Sequence, residues 1–183
     1  MSRLFVLLLL LAPLLGCGEK KGENRGEPQG ELGELAPAKG EVAFPVLDFE
    51  ALEPLLHQED GKTHIINFWA TWCKPCLEEM PHFERINAEF GDKGVEVVLV
   101  SLDMPNMWKE RLEPYVKKKG IRSKVVILDD PGQHEWIPKV SQEWGGGIPA
   151  TLIYNGEQRS FHERGFTYGE LREELEKFIH IKS

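Results

Sequence analysis

The sequence is poor in cysteine, with only Cys17, Cys73 and Cys76 among its 183 residues. An odd number of cysteines cannot pair into a closed disulfide framework, so at least one of the three has another role. Their spacing separates them, because Cys17 stands at the end of an apolar leader and the other two form a close Cys-x-x-Cys pair. The count therefore excludes a fold held together by a closed set of disulfides.

Basic residues are also in the minority. The 22 Lys and Arg residues face 30 Asp and Glu residues, which gives a formal net charge of -8. A nucleic-acid-binding domain normally carries a basic patch or stripe, so this balance argues against a nucleic-acid partner. The length is sufficient for one domain with appendages.

The apolar run from Leu4 to Ala12 is too short for a membrane-spanning helix, which needs about 20 residues. It fits the apolar centre of a secretory signal instead. The run leads into Leu14-Leu15-Gly16-Cys17, which resembles the bacterial lipobox, where the cysteine is lipidated and becomes the first mature residue. We therefore expect a lipoprotein signal peptide over residues 1–16 and lipidation of Cys17. An ordinary signal peptide with an incidental cysteine is the alternative, since Leu15 stands where Ala or Ser is more usual.

Residues 17–40 are rich in Gly, Glu, Lys and Pro and nearly free of aromatic and β-branched side chains. Such a segment cannot bury enough apolar surface to offset the entropy lost on ordering. We expect a flexible, lipid-anchored tether there. A folded domain is expected over residues 41–183.

Apolar patterning in the domain alternates between strands and helices. The segment 63–69, rich in Ile and aromatic residues, and the segment 125–128 predict buried strands, and the apolar run at 95–102 predicts a strand that is covered on both faces. Asn155-Gly156 predicts a hairpin turn, and Thr167-Tyr168-Gly169-Glu170 predicts the capping box of a last helix. The expected order is β-α-β-α-β-α-β-β-α, which implies an α/β fold with a mixed, mostly parallel sheet and helices on both faces. Helical segments are predicted at about 48–56, 73–90, 106–119 and 167–179, with a mixed stretch of one or two helical turns at 133–142.

The pair Cys73 and Cys76 has three interpretations. A structural zinc site needs three or four protein ligands, but the sequence has no second Cys-x-x-Cys and its six histidines lack the His-x3-5-His spacing. An inert disulfide that closes so small a loop would stabilise the fold little. The third interpretation, a redox dithiol, is favoured by the position of the pair between a buried strand and a helix. No metal and no cofactor are expected.

The positions of the two cysteines in the predicted helix indicate different roles. Cys73 falls near the N-cap, where free N–H groups and the helix dipole favour the thiolate, which is the nucleophilic form. Pro75 lies in the first turn, where its missing N–H costs nothing. Cys76 lies one turn further in and should be more buried, so we expect Cys73 to attack and Cys76 to resolve the mixed disulfide. Lys74 should stabilise the Cys73 thiolate slightly, because exposed charges act weakly.

The segment Phe68-Trp69-Ala70-Thr71-Trp72-Cys73-Lys74-Pro75-Cys76 resembles the active-site motif of the thioredoxin superfamily. With the following Leu77-Glu78-Glu79-Met80-Pro81 and the lipobox, the chain is similar to the TlpA/ResA-like branch of membrane-tethered thiol–disulfide oxidoreductases. The resemblance covers roughly residues 42–181 and implies a thioredoxin-like fold.

The resemblance also assigns roles near the dithiol. Pro149, after Ile148, stands where the superfamily has a cis-proline that faces the dithiol and aligns the backbone of a bound peptide; a trans-proline at the start of a strand is the alternative. Gly145-Gly146-Gly147 would let this loop approach the site closely. Trp72 and Trp69 are expected to shape the site and its contact surface.

Glu79 lies three residues past Cys76, hence on the same helix face. In the TlpA/ResA-like branch a glutamate at this position acts beneath the dithiol, where burial would raise its pKa and suit it to exchange a proton with Cys76. A solvated helix glutamate is the alternative. Asn67 stands where thioredoxins themselves have a buried aspartate, and because an amide cannot transfer a proton, it strengthens the case for Glu79.

The function implied by the resemblance is extracytoplasmic reduction of disulfides in exported proteins, with a membrane electron-relay protein regenerating the dithiol. In cytochrome c maturation the substrate would be the CxxCH disulfide of an apocytochrome. A peroxiredoxin-like thiol peroxidase shares the fold, but Ala70-Thr71-Trp72-Cys73 lacks the Pro-x-x-x-Thr/Ser-x-x-Cys spacing of that class. A Sco-like copper-delivery protein uses a CxxxC pair and a distant histidine, whereas this pair has two intervening residues.

Overall fold

The computed structural model describes residues 42–156 and 158–179, which form six strands and five α-helices besides short 3-10 and π-helical turns. The predicted signal peptide, the lipidation site Cys17 and the predicted tether lie outside these residues. No helix in the described ranges has both the length and the apolar character needed to cross a bilayer. The elements are β1 (Val46–Leu47), α1 (Phe49–Leu52), β2 (Thr63–Trp69), α2 (Lys74–Phe90), β3 (Val95–Ser101), α3 (Glu113–Lys119), β4 (Lys124–Leu128), α4 (Gln133–Val140), β5 (Ala150–Asn155), β6 (Gln158–His162) and α5 (Tyr168–Glu176).

The strands form one mixed sheet in the order β1-β4-β3-β2-β5-β6. The pairings of β1 with β4, β4 with β3 and β3 with β2 are parallel, whereas β5 is antiparallel to both β2 and β6. This confirms the mixed, mostly parallel sheet. Every residue of β2 is buried, because the strand is paired on both edges and covered on both faces.

Two apolar clusters cover the two faces of the sheet. One contains residues of α2, α3 and α5, with Phe83 fully buried in it. The other contains residues of α1 and α4, including Leu52 and Trp136. The neighbours Ile65 and Ile66 of β2 belong to different clusters, as expected for a strand whose successive side chains point to opposite faces. Helices on both faces are therefore confirmed.

The predicted order of elements is short by one helix and one strand. The stretch 133–142, predicted as a mixed segment, contains the helix α4. The strands β5 and β6 come after this stretch. Trp136 and Val140 lie four residues apart and bury one face of α4 against the second cluster. This packing completes a helix for which the short sequence pattern gave little support.

The predicted helix over 106–119 is wrong as a single regular element. The segment starts with a 3-10 turn at Pro105–Met107 and a π-helical turn at Trp108–Leu112, and regular α-helix begins only at Glu113. Pro114 has no N–H to donate to the preceding turn, which disfavours a continuous α-helix through it. The N–H of Glu113 reaches back to the carbonyl of Trp108 across the π-helical turn.

The parallel strands β2 and β3 end together at one edge of the sheet. Trp69 is in register with Ser101, and the N–H of Leu102 donates to the carbonyl oxygen of Trp69 at 2.8 Å. Ala150, the first residue of the antiparallel strand β5, pairs with Phe68 at this same edge. Residues that follow β2 and β3 and residues that precede β5 therefore meet there.

Candidate active site

Cys73 and Cys76 lie at the start of α2 and form a disulfide. Cys73 is the N-cap residue, and the backbone N–H of Cys76 donates to its Sγ at 3.3 Å. Cys73 is 5% exposed and Cys76 is 0% exposed, so Cys73 is the more accessible residue of the pair. A helix N-terminus favours a thiolate, and the arrangement supports the predicted roles of Cys73 as nucleophile and Cys76 as resolving cysteine.

The two residues between the cysteines contribute differently. Pro75 lies in the first turn of α2, where it removes no needed donor. The side chain of Lys74 is 87% exposed, and its Nζ lies 3.7 Å from Oε1 of Glu78. Since exposed ion pairs are weak, Lys74 can stabilise a neighbouring thiolate only slightly.

Pro149 stands directly before β5 and close to the dithiol. The peptide bond between Ile148 and Pro149 is cis, as expected. The carbonyl oxygen of Ile148 lies 3.6 Å from Sγ of Cys73. The loop that precedes β5 therefore packs against the sulfur of Cys73.

Glu163, which follows β6, holds this loop in place, and nothing in the sequence pattern indicated that role. Its carboxylate accepts hydrogen bonds from the backbone N–H groups of Gly145 at 2.7 Å and Gly147 at 2.6 Å. A Cβ at Gly147 would lie 2.5 Å from Oε1 of Glu163, so a side chain there would displace the carboxylate. Nε1 of Trp144 donates to the carbonyl of Gly147 at 2.8 Å. These bonds fix the segment that leads to Pro149.

Glu79 is buried, with 2% of its surface exposed. Its carboxylate accepts hydrogen bonds from Nδ2 of Asn67 and from the backbone N–H of Phe166, each at 2.9 Å. Burial raises the pKa of Glu79 to about 7, although both hydrogen bonds and the charge of Arg164 act in the opposite direction. A carboxyl group with a pKa near neutrality can both accept and release a proton, as its predicted role requires.

Glu79 and the proline loop approach each other at Gly165. A Cβ built on Gly165 would lie 3.7 Å from Oε2 of Glu79 and 3.8 Å from Cγ of Pro149. The carboxylate and the proline ring thus approach the same point. Asn67, which donates to Glu79, also donates to Oγ1 of Thr151 on β5 at 3.1 Å, so the site is tied to two central strands.

Asp103 is a site residue that the sequence analysis missed. It is 2% exposed, and its carboxylate accepts hydrogen bonds from Oγ1 of Thr71 at 2.6 Å and from the Thr71 N–H at 3.1 Å. Oγ of Ser101 donates to the same carboxylate at 2.9 Å. Because Thr71 lies two residues before Cys73, Asp103 fixes the segment that leads into the dithiol. Its position just after a buried strand is the one sequence signal that could have suggested it.

The two tryptophans of the motif have different environments. Trp72 is 51% exposed next to Cys73, whereas Trp69 is completely buried and packs against Tyr115. Trp72 is therefore available to a docked partner, and Trp69 supports the site from within the core.

A second group of charged side chains lies at the opposite end of β2. His64 is fully buried, with Nε2 2.9 Å from Oδ1 of Asp60 and Nδ1 3.4 Å from Oε2 of Glu96. Lys124 forms an ion pair with Glu96. The carboxylates face opposite nitrogens of the ring, which is the geometry of ion pairs with an imidazolium rather than of ligands around one metal ion.

Comparison with known proteins supports a thiol–disulfide oxidoreductase with its redox site at Cys73 and Cys76. Residues 44–158 match the AhpC/TSA family. The thiol-disulfide oxidoreductase ResA of Halalkalibacterium halodurans is 32% identical over 138 residues, which are 74% of this chain and 73% of the relative. ResA of Bacillus thuringiensis is 29% identical over 149 residues, which are 81% of this chain and 78% of the relative.

The fold is similar to that of a DsbF homologue from Corynebacterium diphtheriae, with a TM-score of 0.53, 20% sequence identity, and coverage of 65% of this chain and 73% of the other. At this identity the likeness establishes the fold alone. The family match and the ResA relatives extend the assignment to chemistry, and the Cys73–Cys76 disulfide supplies the redox group. The chain thus belongs to the AhpC/TSA family within the thioredoxin superfamily, as a TlpA/ResA-like thiol–disulfide oxidoreductase.

Proposed function

We propose that the protein reduces disulfides in exported proteins on the outer side of a membrane, to which a lipid on Cys17 anchors it. The observation that carries the proposal is the asymmetric dithiol: an N-cap Cys73 that solvent reaches, a fully buried Cys76, and a buried Glu79 whose pKa is about 7. This combination provides a nucleophile, a resolving thiol and a proton carrier.

The reaction starts from the dithiol form. The thiolate of Cys73 attacks one sulfur of the substrate disulfide, forming a mixed disulfide, and the other substrate sulfur leaves as a thiolate that takes up a proton from water. Cys76 then gives its proton to the carboxylate of Glu79, and its thiolate attacks Sγ of Cys73. The second substrate sulfur leaves as a thiolate and is protonated. Two electrons have passed to the substrate, and the chain holds the Cys73–Cys76 disulfide.

The oxidised chain must be reduced again before another turnover. We propose that a membrane electron-relay protein donates the two electrons by the same exchange in reverse, which fits an anchored protein that stays close to the membrane. An apocytochrome c with an oxidised CxxCH motif is the proposed substrate, since its cysteines must be reduced before haem attachment. Membrane anchoring is tested by fractionating cells that produce the wild type or Cys17→Ala, which should be released from the membrane.

The test of activity is reduction of insulin and of an oxidised CxxCH peptide by the purified protein, with a thiol reductant present. We expect turnover by the wild type and loss of turnover in Cys73→Ser. Retained activity in Cys73→Ser would contradict the mechanism. The same preparations are tested for peroxide consumption and for copper binding with loss of free thiols, because these would indicate a thiol peroxidase or a copper-delivery protein instead.

A further inference from the structure

Two large apolar side chains are exposed in the described part of the chain, Trp72 at 51% and Met104 at 54%. The other large apolar residues there are buried or partly buried. Single exposed apolar side chains are common on protein surfaces and need no explanation. Trp72 and Met104, however, lie in the same region of the surface, because both belong to segments that follow strands ending at the same edge of the sheet.

Sheet geometry brings the two segments together. β2 and β3 are parallel neighbours, with Trp69 in register with Ser101 and the N–H of Leu102 bonded to the carbonyl of Trp69 at 2.8 Å. The chain reaches Trp72 three residues after the end of β2 and Met104 three residues after the end of β3. Both side chains therefore emerge at the edge that carries the dithiol.

The carboxylate of Asp103 joins the two segments directly. It accepts a hydrogen bond from the N–H of Thr71 at 3.1 Å and another from Oγ1 of Thr71 at 2.6 Å. Trp72 and Met104 are each the next residue after a member of this pair, and consecutive Cα atoms are about 3.8 Å apart. The two segments that carry Trp72 and Met104 are thus tied together just before Cys73.

The backbone of Met104 is fixed on both sides, although its side chain is exposed. Nε1 of Trp108 donates to the carbonyl of Asp103 at 2.7 Å, and the N–H of Met107 donates to the carbonyl of Met104 at 2.8 Å. The π-helical turn that starts at Trp108 follows immediately, and such turns are frequent at functional sites. A side chain presented on an ordered backbone loses little entropy when a partner covers it.

We infer that Met104 is a specificity-determining residue that, with Trp72, contacts an apolar side chain next to the cysteine of a disulfide-bonded polypeptide. This inference rests on the proposed function and names the substrate class that the site prefers. A polypeptide whose disulfide reaches Cys73 must lie over the edge of the sheet from which both side chains emerge, and it gains free energy by covering them. Methionine adapts its shape to different partners, which suits a site that accepts varied, extended segments.

Small disulfides lack side chains that reach this surface. The experiment therefore measures kcat/KM of the full chain for three substrates: a disulfide peptide with Leu next to its cysteines, the same peptide with Ser at those positions, and oxidised glutathione. In Met104→Ala the ratio of kcat/KM for the Leu peptide to that for oxidised glutathione should fall about fivefold, mainly through KM. The Ser peptide should show a much smaller fall. Met104→Leu should restore the ratio, because it restores apolar contact area.

Met107→Ala is the matched control, since it removes the same kind of side chain from the same segment at a partly buried position. Its ratio should stay at the wild-type value. The inference is overturned if Met104→Ala lowers all three kcat/KM values equally, or if it changes none of them. If the wild type reduces none of the three substrates, the proposed function fails as well, so the two failures are distinguishable.

Discussion

Two opposing effects act on the carboxyl group of Glu79. Burial favours its neutral form, and two hydrogen-bond donors favour its ionised form. Burial dominates and raises its pKa to about 7, against the hydrogen bonds from Phe166 and Asn67. Oδ1 of Asn67 is buried and has no hydrogen-bond partner within the described residues. Turning the amide by 180° would offer this oxygen to a protonated Glu79. The amide of Asn67 can therefore donate a hydrogen bond to ionised Glu79 and accept one from protonated Glu79. An ionised aspartate at position 67 would instead repel the carboxylate of Glu79.

The first prediction concerns the pH dependence of the second chemical step. Glu79 accepts the proton of Cys76 only when it is ionised, so release of product from the Cys73 mixed disulfide should accelerate as pH rises through about 7. In Glu79→Gln this inflection should disappear, with a fall in rate of about 10²-fold, at the lower end of typical acid–base contributions. Stopped-flow measurement of the resolution step from pH 5 to 9 checks it.

Glu78→Gln is the control, because its side chain is 66% exposed on the same helix. Its profile should match that of the wild type. An inflection near pH 7 that survives in Glu79→Gln would show that another group carries the proton.

The Cys-x-x-Cys motif identified Cys73 and Cys76, and the resemblance to the TlpA/ResA-like branch identified Glu79, whose spacing places it on the same helix face as Cys76. The same patterns could not identify Phe166, whose N–H reaches Glu79 across 87 positions of the chain. Asp103 was missed for the same reason, since its partner Thr71 lies 32 positions away. Contacts of this kind depend on how the sheet is assembled, which local periodicity does not encode.

The loop before β5 is held by a side chain from another part of the chain, the carboxylate of Glu163. Two N–H groups of the loop, from Gly145 and Gly147, converge on the carboxylate of Glu163 after β6. A carboxylate accepts both bonds as charge-assisted hydrogen bonds, which are stronger than neutral ones. The hairpin β5–β6 thereby supports the loop that faces Cys73.

The second prediction is that Glu163→Gln loosens this loop. An amide has one oxygen, so one of the two N–H groups loses its acceptor, at a cost of about 1 kcal/mol for a solvent-accessible site. KM for a disulfide peptide should rise about fivefold, since 1.4 kcal/mol corresponds to a factor of ten, while the pH inflection near 7 should stay in place. Steady-state kinetics of the variant measure both quantities.

Glu143→Gln serves as the control, because Glu143 is exposed two residues before Gly145. It should leave KM unchanged. A KM for Glu163→Gln equal to that of the wild type would mean that Trp144 and the chain connections alone hold the loop.

The bounds of most elements followed from local signals. The strand at 63–69 and the capping box at Thr167, whose Oγ1 accepts from the N–H of Glu170, agree with the structure. The segment 106–119 shows where local signals fail, because Pro114 interrupts the donor pattern of the single helix that was predicted there. The antiparallel position of β5 beside β2 depends on contacts far apart in the chain and was not specified beyond a mostly parallel sheet.

In the molecule as a whole, a buried titratable group lies near each end of β2: the acid Glu79 near one end and the base His64 near the other. Near the dithiol end, burial raises the pKa of Glu79 to about 7. At the other end burial lowers the pKa of His64, but hydrogen bonds to Glu96 and Asp60 outweigh it and raise that pKa overall. The pKa of Glu96 falls to about 2, chiefly through its hydrogen bond with His64. The pKa of Asp60 also falls to about 2, since His64 and Lys62 together outweigh its burial.

The third prediction follows from these shifts. The stabilisation from His64 is complete below its unfolded pKa of about 6.5 and is lost as pH rises through its higher folded pKa. The raised pKa of Glu79 acts in the same direction between about pH 4.5 and 7, whereas the stabilisation from Asp60 and Glu96 is lost as pH falls toward 2. The free energy of unfolding should therefore decline on both sides of a maximum at mildly acidic pH.

Denaturant unfolding of the oxidised protein at a series of pH values measures this curve. Glu79→Gln should flatten the decline between pH 5 and 7, and His64→Gln should flatten the decline above pH 6.5. His134→Gln is the matched control, because its side chain is 83% exposed. A curve for His64→Gln that is parallel to the wild type throughout would contradict the role given to His64.

In the proposed mechanism, Cys73 is the attacking sulfur and Cys76 the resolving one. Trapping the mixed disulfide tests it most directly: the reduced Cys76→Ser and Cys73→Ser variants are incubated with a disulfide peptide, quenched with acid and analysed by mass spectrometry. Cys76→Ser should accumulate a peptide adduct on Cys73, because Cys73 is the more accessible residue of the pair, while Cys73→Ser should accumulate almost none, because Cys76 is fully buried. Equal rates of adduct formation on the two cysteines would contradict the account.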